Sequence, residues 1–390
     1  MGRSRQAEHQ ALIDWLLQQV AEHDVNAVLL AGDIFDTGAP PSYARELYNQ
    51  LVVRLHEAAC QLVLLGGNHD SVATLEESRP LMSYLGCTVI PAVQEDLSRQ
   101  LLLLRDRDDQ PAALLCAVPF VRARDVMQSQ AGQSAEDKQL GLQQAIASHY
   151  QALYQLAVAQ CEVLGAALPI LATGHLTTVG ASSSESVREI YVGALDAFPS
   201  NAFPPFDYIA LGHIHRPQQV GGQSHIRYSG SPLALSFDEL GQDKQMLLLD
   251  TAGSAPLAIT PLAVPYFQPL CSLRGTLAEL QLSIPAAIAA IGQEQQLWLE
   301  VIVEGDDYLS DLQTRIQQLL QDQPAELLRL RRARGQQAAA LQAERSTLDE
   351  LTAEEVFTHR LQLEDLDEAQ AADMRQRYRQ ILQALQEEQA

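Results

Sequence analysis

Apolar side chains recur at helical spacing at Leu12, Trp15, Leu16 and Val20, and again at Leu47, Tyr48, Leu51, Val52 and Leu55. Each stripe is followed by a short continuous apolar run: "NAVLLAGD" at 26–33 and "QLVLLGGNHD" at 61–70. A helical period alternating with buried-strand runs predicts β-α alternation and an α/β fold. A hairpin is expected where "LLLLRD" and "AALLCAVPF" flank Asp108-Asp109-Gln110-Pro111. A long helix should follow, to about residue 165, and then two further buried strands, "LPILATGH" and "DYIALGH". The stretches "HIRYSGSP" and "QMLLLD" read as β-structure closing this unit.

The pattern then changes. Residues 266–334 read strand, helix, strand ("LWLEVIV"), helix ("DLQTRIQQLL") and strand, a small α+β unit. Past a polar linker near 335–347, Thr352 with Glu355 and Asp365 with Glu368 have capping-box spacing. Met374, Tyr378, Ile381, Leu382 and Leu385 share one helical stripe. Two short amphipathic helices at an acidic terminus predict docking into a groove or onto a coiled coil, with Val356, Phe357, Tyr378, Ile381 and Leu382 as contact residues, the alternative being packing back on the 266–334 unit. The division expected is 1–262, 266–334 and 346–390.

Composition narrows the reading. At 390 residues the chain exceeds one ordinary core. Its five cysteines are odd in number, scattered and without a C-x-x-C pair, which predicts reduced thiols in a cytoplasmic protein. No apolar stretch is long enough to span a bilayer. The net charge of −23 argues against a uniformly basic nucleic-acid-binding surface. Charge is segregated, however: residues 341–390 hold 12 acidic and 5 basic side chains, whereas "RLRRAR" at 329–334 concentrates Arg329, Arg331, Arg332 and Arg334. Those arginines read either as candidate contacts for DNA phosphate or as a solvated strand end.

The chemistry collects where strands end. The four buried runs finish in Leu-Ala-Gly-Asp33, Leu-Gly-Gly-Asn68, Ala-Thr-Gly-His175 and Ala-Leu-Gly-His213, each an apolar run, a glycine and a metal-competent side chain. Ligands in α/β folds gather at the carboxyl ends of strands, and glycine there lets the backbone turn sharply. Four such ends in one sheet would bring Asp33, Asn68, His175 and His213 to a common rim, with His215 two residues on in "GHIH". Mixed carboxylate, amide oxygen and imidazole suit Mn²⁺, Fe²⁺ or Zn²⁺ better than Ca²⁺. Each motif alone has a bland reading as a turn, but four in order with the right ligand types do not.

The motifs "GDIFD", "GNHD", "GHLTTVG" and "ALGHIH" resemble those of the calcineurin-like metallophosphoesterases. The wording between them, "DTGAPPSYARELYN", "GNHDSVATLEESR" and "YSGSPLALSFDE", is similar to the bacterial SbcD exonuclease subunits. The resemblance implies a calcineurin-like β-sandwich flanked by helices, a capping domain and a C-terminal helical pair. It also implies a two-metal DNA nuclease, related to double-strand-break repair nucleases, that works with the coiled-coil ATPase SbcC in a heterotetramer. Carried over, it makes Asp33 the carboxylate shared by two divalent ions, with Mn²⁺ favoured. Asn68, His175 and His213 complete one site, and His215 belongs to the other. His69 is then no ligand but the acid over the scissile phosphate, and Asp36 and Asp70 orient ligands or the imidazole.

The family pattern also opens with an Asp-x-His-x-Gly motif, and no Asp-x-His stands before residue 33 here. The expectation is an N-terminally truncated nuclease domain whose second metal site is incomplete. Two alternatives stay open beside the nuclease: a phosphoesterase for small substrates on the same fold, and a catalytically impaired scaffold that binds SbcC.

Overall fold

In a computed structural model the described residues are 3–127, 134–181, 197–252, 256–292, 295–305, 312–333 and the single position 374. The two opening stripes form α1 (Gln6–Glu22) and α2 (Ser42–Glu57), which bury Leu12, Ile13, Leu16 and Val20, and Leu47, Leu51, Val52 and Leu55. The apolar runs become β1 (Ala27–Leu30) and β2 (Gln61–Leu65). Short helices α3 (Val72–Glu77) and α4 (Arg79–Tyr84) lead into β3 (Cys87–Ile90), and the three strands pair in parallel in the order β1-β2-β3.

A second sheet has the order β4-β5-β6-β7-β9-β8. The expected hairpin is β4 (Leu101–Arg105) against β5 (Pro111–Cys116), antiparallel. After α5 (Ala123–Val126) comes the long α6 (Ala135–Leu164). Ser134 caps α6 in a reciprocal capping box with Asp137, and Gly165 ends it at φ 64°. From there β6 (Ile170–His175) and β7 (Tyr208–Gly212) run parallel to β5. β8 (Gln218–Val220) and β9 (Gln223–Tyr228) complete the edge.

The four strand ends therefore do not lie in one sheet, as the sequence led us to expect. β1 and β2 belong to the first sheet, β6 and β7 to the second. The reason is that each sheet has two apolar faces to cover. Val63, Leu65, Ile90, Leu115, Leu171 and Tyr208 pack into one shared core. The alternate residues face outward: Leu62 and Leu64 pack with α1 and α2, and Cys116, Ala172, Ile209 and Leu211 with α6. The result is helices, sheet, sheet, helix, with the strand ends of both sheets at one rim.

A separate hairpin, β10 (Gln245–Asp250) with β11 (Ala258–Ala263), adds Leu249 and Ile259 to the edge of the shared core. "QMLLLD" thus closes the unit outside the large sheet.

The C-terminal stretch runs β12 (Leu270–Gly275), α7 (Leu277–Ala289), β13 (Leu297–Val303), α8 (Leu312–Leu319) and β14 (Ala325–Arg332). Its three strands are all parallel, in the order β12-β13-β14. This corrects the α+β expectation: helices joining successive parallel strands make an α/β arrangement, because a parallel return needs a crossover helix. Leu280, Ile284 and Ile316 from the helices meet Leu299 and Val301 of β13 in a core of their own. Arg334 and the expected helical pair, with Val356, Phe357, Tyr378, Ile381 and Leu382, lie outside the described residues. Among the described residues no helix is long and apolar enough to cross a membrane.

Candidate metal centre

The centre is assembled from loops that leave β1, β2, β6 and β7. Asp33 follows β1 directly after Gly32, and both adopt left-handed backbone, at φ 52° and 93°. A Cβ on Gly32 would collide with the His175 imidazole, and one on Gly212 would fall on the Ala31 carbonyl oxygen. These glycines are required because backbone and imidazole pack directly against each other there.

His175, wholly buried at the end of β6, donates from Nδ1 to the Ala31 carbonyl at 2.7 Å. Its Nε2 then faces Asn68 Oδ1 at 2.9 Å and Asp33 Oδ2 at 3.2 Å. In the neutral ring that nitrogen is a lone pair opposed to two oxygen acceptors, a mismatch that either a proton on Nε2 or a bound cation relieves. Burial opposes charging His175, but the Asp33 carboxylate overrides it and raises its pKa. Burial would likewise raise Asp33, yet the His175 contact and the His69 N–H, donated at 3.1 Å, bring it down to about 2. His213, at φ 90°, lies 5.4 Å from His175 ring to ring. Burial and the neighbouring His175 push it down to about 3, so it is neutral and ready to ligate. Donor atoms of Asp33, His175 and His213 all fall within 4.8 Å of one another. With the Asn68 oxygen beside them, the set of O and imidazole N donors fits a divalent transition ion.

The remaining sequence-derived residues divide. His69 is placed by its Nδ1, which donates to the Asp36 main-chain carbonyl at 2.9 Å. The Asp36 carboxylate stands farther off, at 3.5 Å, and is 85% exposed, so backbone rather than side chain does most of the orienting. Asp70 acts on the backbone of the ligand loops. Its buried carboxylate accepts from the N–H groups of Ile34, Phe35 and Gly67, tying the Asp33 loop to the Asn68 loop. His215 is absent from the tight donor cluster and donates its Nδ1–H to Glu239 at 2.9 Å. Sequence reasoning missed Glu239 and its partner Lys244; the signal available was an acid and a lysine five apart in "FDELGQDK". Arg329 and Arg331 both lean on buried Glu300, at 3.4 and 3.3 Å, and their side chains stay 44% and 36% exposed. Arg332 lies on β14 beside them.

Residues 6–217 match the calcineurin-like phosphoesterase family, and residues 266–365 match the type 5 capsule protein repressor C-terminal domain. The SbcD component of the SbcCD nuclease of Escherichia coli K12 is 49% identical over 374 residues, which cover 95% of this chain and 91% of that one. The corresponding SbcD chain of Rhodobacter capsulatus is 36% identical over 70% of this chain and 67% of that one. That of Bacillus subtilis is 26% identical over 79% and 76%. A β-glucosidase from Exiguobacterium marinum is 12% identical over 81% of this chain and 75% of that one, with a TM-score of only 0.20. With one family model over more than half its length and a half-identical relative over nearly all of it, the chain belongs to the SbcD family of calcineurin-like phosphoesterases.

Proposed function

We propose that the chain is the nuclease subunit of an SbcCD-type assembly, a metal-dependent phosphodiesterase that cuts DNA as a double-strand exonuclease and as a single-strand or hairpin endonuclease. The observation that carries this reading is the convergence of donor atoms from Asp33, Asn68, His175 and His213 on one buried point, a set that fits a divalent cation. Mn²⁺ would fit this mixed O and N set, with Asp33, Asn68, His175 and His213 as its holders, and His215 would help to hold a second ion. Divalent ions held there would activate water for attack and offset the charge that builds on phosphorus. The protein does the rest. His175 and His213 hold their lone pairs inward, fixed by the Ala31 carbonyl and by burial. His69, with Nδ1 committed to Asp36, presents Nε2 to the substrate and protonates the leaving 3′ oxygen.

The relatives are each named as the SbcD component of an SbcCD nuclease, and we extend the partnership to this chain: a coiled-coil ATPase of the SbcC type, engaged through residues 346–390. Residues 1–262 form the nuclease domain and 266–334 its cap. Arg329, Arg331, Arg332 and Arg334 meet DNA phosphate at one edge, which a net charge of −23 makes a local contact. The assembly is a cytoplasmic heterotetramer.

The test is cleavage of end-labelled duplex DNA by the purified chain, with and without the ATPase partner. Activity should require Mn²⁺, vanish with chelator and be lost in Asp33→Asn. Digestion that survives either treatment would defeat the assignment, and hydrolysis of small phosphoesters alone would move it to that substrate class.

A further inference from the structure

We infer that Glu239, backed by Lys244, is a positioning residue for His215: it holds the imidazole with its proton on Nδ1 and its lone pair on Nε2, the nitrogen that would ligate a metal ion. The inference rests on the nuclease reading above, in which His215 is a ligand.

A carboxylate taken fully out of water is costly unless every oxygen is engaged. Glu239 is 0% exposed, and donors reach both of its oxygens. Oε1 accepts from His215 Nδ1 at 2.9 Å. Oε2 accepts from Lys244 Nζ at 2.6 Å, from the Leu235 N–H at 3.1 Å and from Ser231 Oγ at 3.2 Å. Lys244, itself only 3% exposed, also donates to the His215 carbonyl at 3.3 Å and to Ser231 Oγ at 2.9 Å. The Ser231 N–H donates to that carbonyl at 3.0 Å. His215 is thus gripped by ring and backbone from one charge-balanced cluster.

The cluster is anchored in turn. Arg5, paired with Glu8 in the first turn of α1, donates to the Ala234 carbonyl at 2.7 Å. A pair serving only to brace the segment would need Lys244 alone. Here the carboxylate commits its other oxygen to the imidazole two residues past His213, at the rim where Asp33, His175 and His69 also act on His213. A carboxylate accepting from the far nitrogen of a ligand histidine fixes its tautomer and ring orientation, and losing such a partner weakens metal binding by about 10–100-fold.

The experiment uses the full chain, as wild type and as Glu239→Gln, Glu239→Asp, His215→Ala and the Glu239→Gln/His215→Ala double variant. Imidazole ¹⁵N NMR of the metal-free protein, with His215 assigned by its loss in His215→Ala, should find the neutral wild-type ring protonated on Nδ1. Glu239→Gln should shift it toward the Nε2–H form, and Glu239→Asp should restore the wild-type tautomer. Mn²⁺ titration followed by electron paramagnetic resonance should show about 10–100-fold weaker binding in Glu239→Gln, and no further loss when His215 is already alanine. An unchanged tautomer in Glu239→Gln overturns the positioning role whatever the metal does, and so does an equal loss of Mn²⁺ in the His215→Ala background. A changed tautomer with Mn²⁺ affinity untouched in both single variants overturns instead the reading of His215 as a ligand. Should Glu239→Gln fail to fold, the wild-type spectrum decides alone, since an Nε2-protonated neutral ring contradicts the proposal.

Discussion

Asp33 and His213 hold φ of 52° and 90°, a region that costs an L-residue of the order of 1–3 kcal/mol, and both carry donors of the candidate centre. The strain is compensated by the packed strands on either side and aims the donors inward. The Asp33–His175 contact gives the site a definite pH response. Asp33 is depressed from 3.8 to about 2, so its contribution to stability is present above 3.8 and lost as pH falls toward 2. His175 is raised above 6.5, so its contribution is present below 6.5 and lost as pH rises through the higher folded value. The metal-free protein should therefore be most stable between about 4 and 6.5, read as melting temperature against pH. Where His175 is protonated, a metal ion must displace that proton. Mn²⁺ affinity should accordingly rise with pH above 6.5 with release of about one proton per ion, measured by calorimetry in buffers of different ionisation enthalpy. A separate expectation concerns His69. It is not among the clustered donors and its Nδ1 is committed to the Asp36 carbonyl, so His69→Ala should keep metal and DNA binding while lowering turnover by roughly 10²–10⁴-fold. Loss of bound Mn²⁺ in that variant would reassign it as a ligand.

At the scale of elements, the site depends on two sheets holding a fixed register across their shared core. Leu65 is fully buried there and immediately precedes Gly66, Gly67 and Asn68. Leu65→Ala should cost about 2–5 kcal/mol in chemical denaturation. It should also loosen Mn²⁺ binding, because the Asn68 loop is carried by one sheet and His175 by the other. An affinity unchanged at that stability loss would mean that the loops, tied by the Asp70 carboxylate, hold the centre without the sheets. The buried runs, the hairpin and α6 were legible because hydrophobic period and turn residues are local properties. The assignment of strands to sheets was not. β2 and β6 read alike as continuous apolar segments, since each is covered on both faces.

For the whole molecule, the nuclease core, the parallel C-terminal sheet and the acidic 341–390 stretch are distinct in pattern and charge. Removing residues 346–390 should abolish co-purification with the ATPase partner and leave melting temperature and Mn²⁺ binding unchanged. Stoichiometric capture of that partner by the shortened chain would place the docking surface elsewhere.

By itself the sequence determined the α/β character and the four strand-end motifs, because apolar periodicity and a glycine before a ligand are written in adjacent residues. It also determined the family, through motifs spread over most of the chain. Only the tertiary structure decided that the motifs come from two sheets meeting at one rim, that Asp70 ties backbone loops, and that Glu239 and Lys244 stand behind His215. Those facts depend on which buried polar groups satisfy one another across separations from 5 to 36 residues, and a buried carboxylate looks the same in the sequence as a solvated one until its donors are placed.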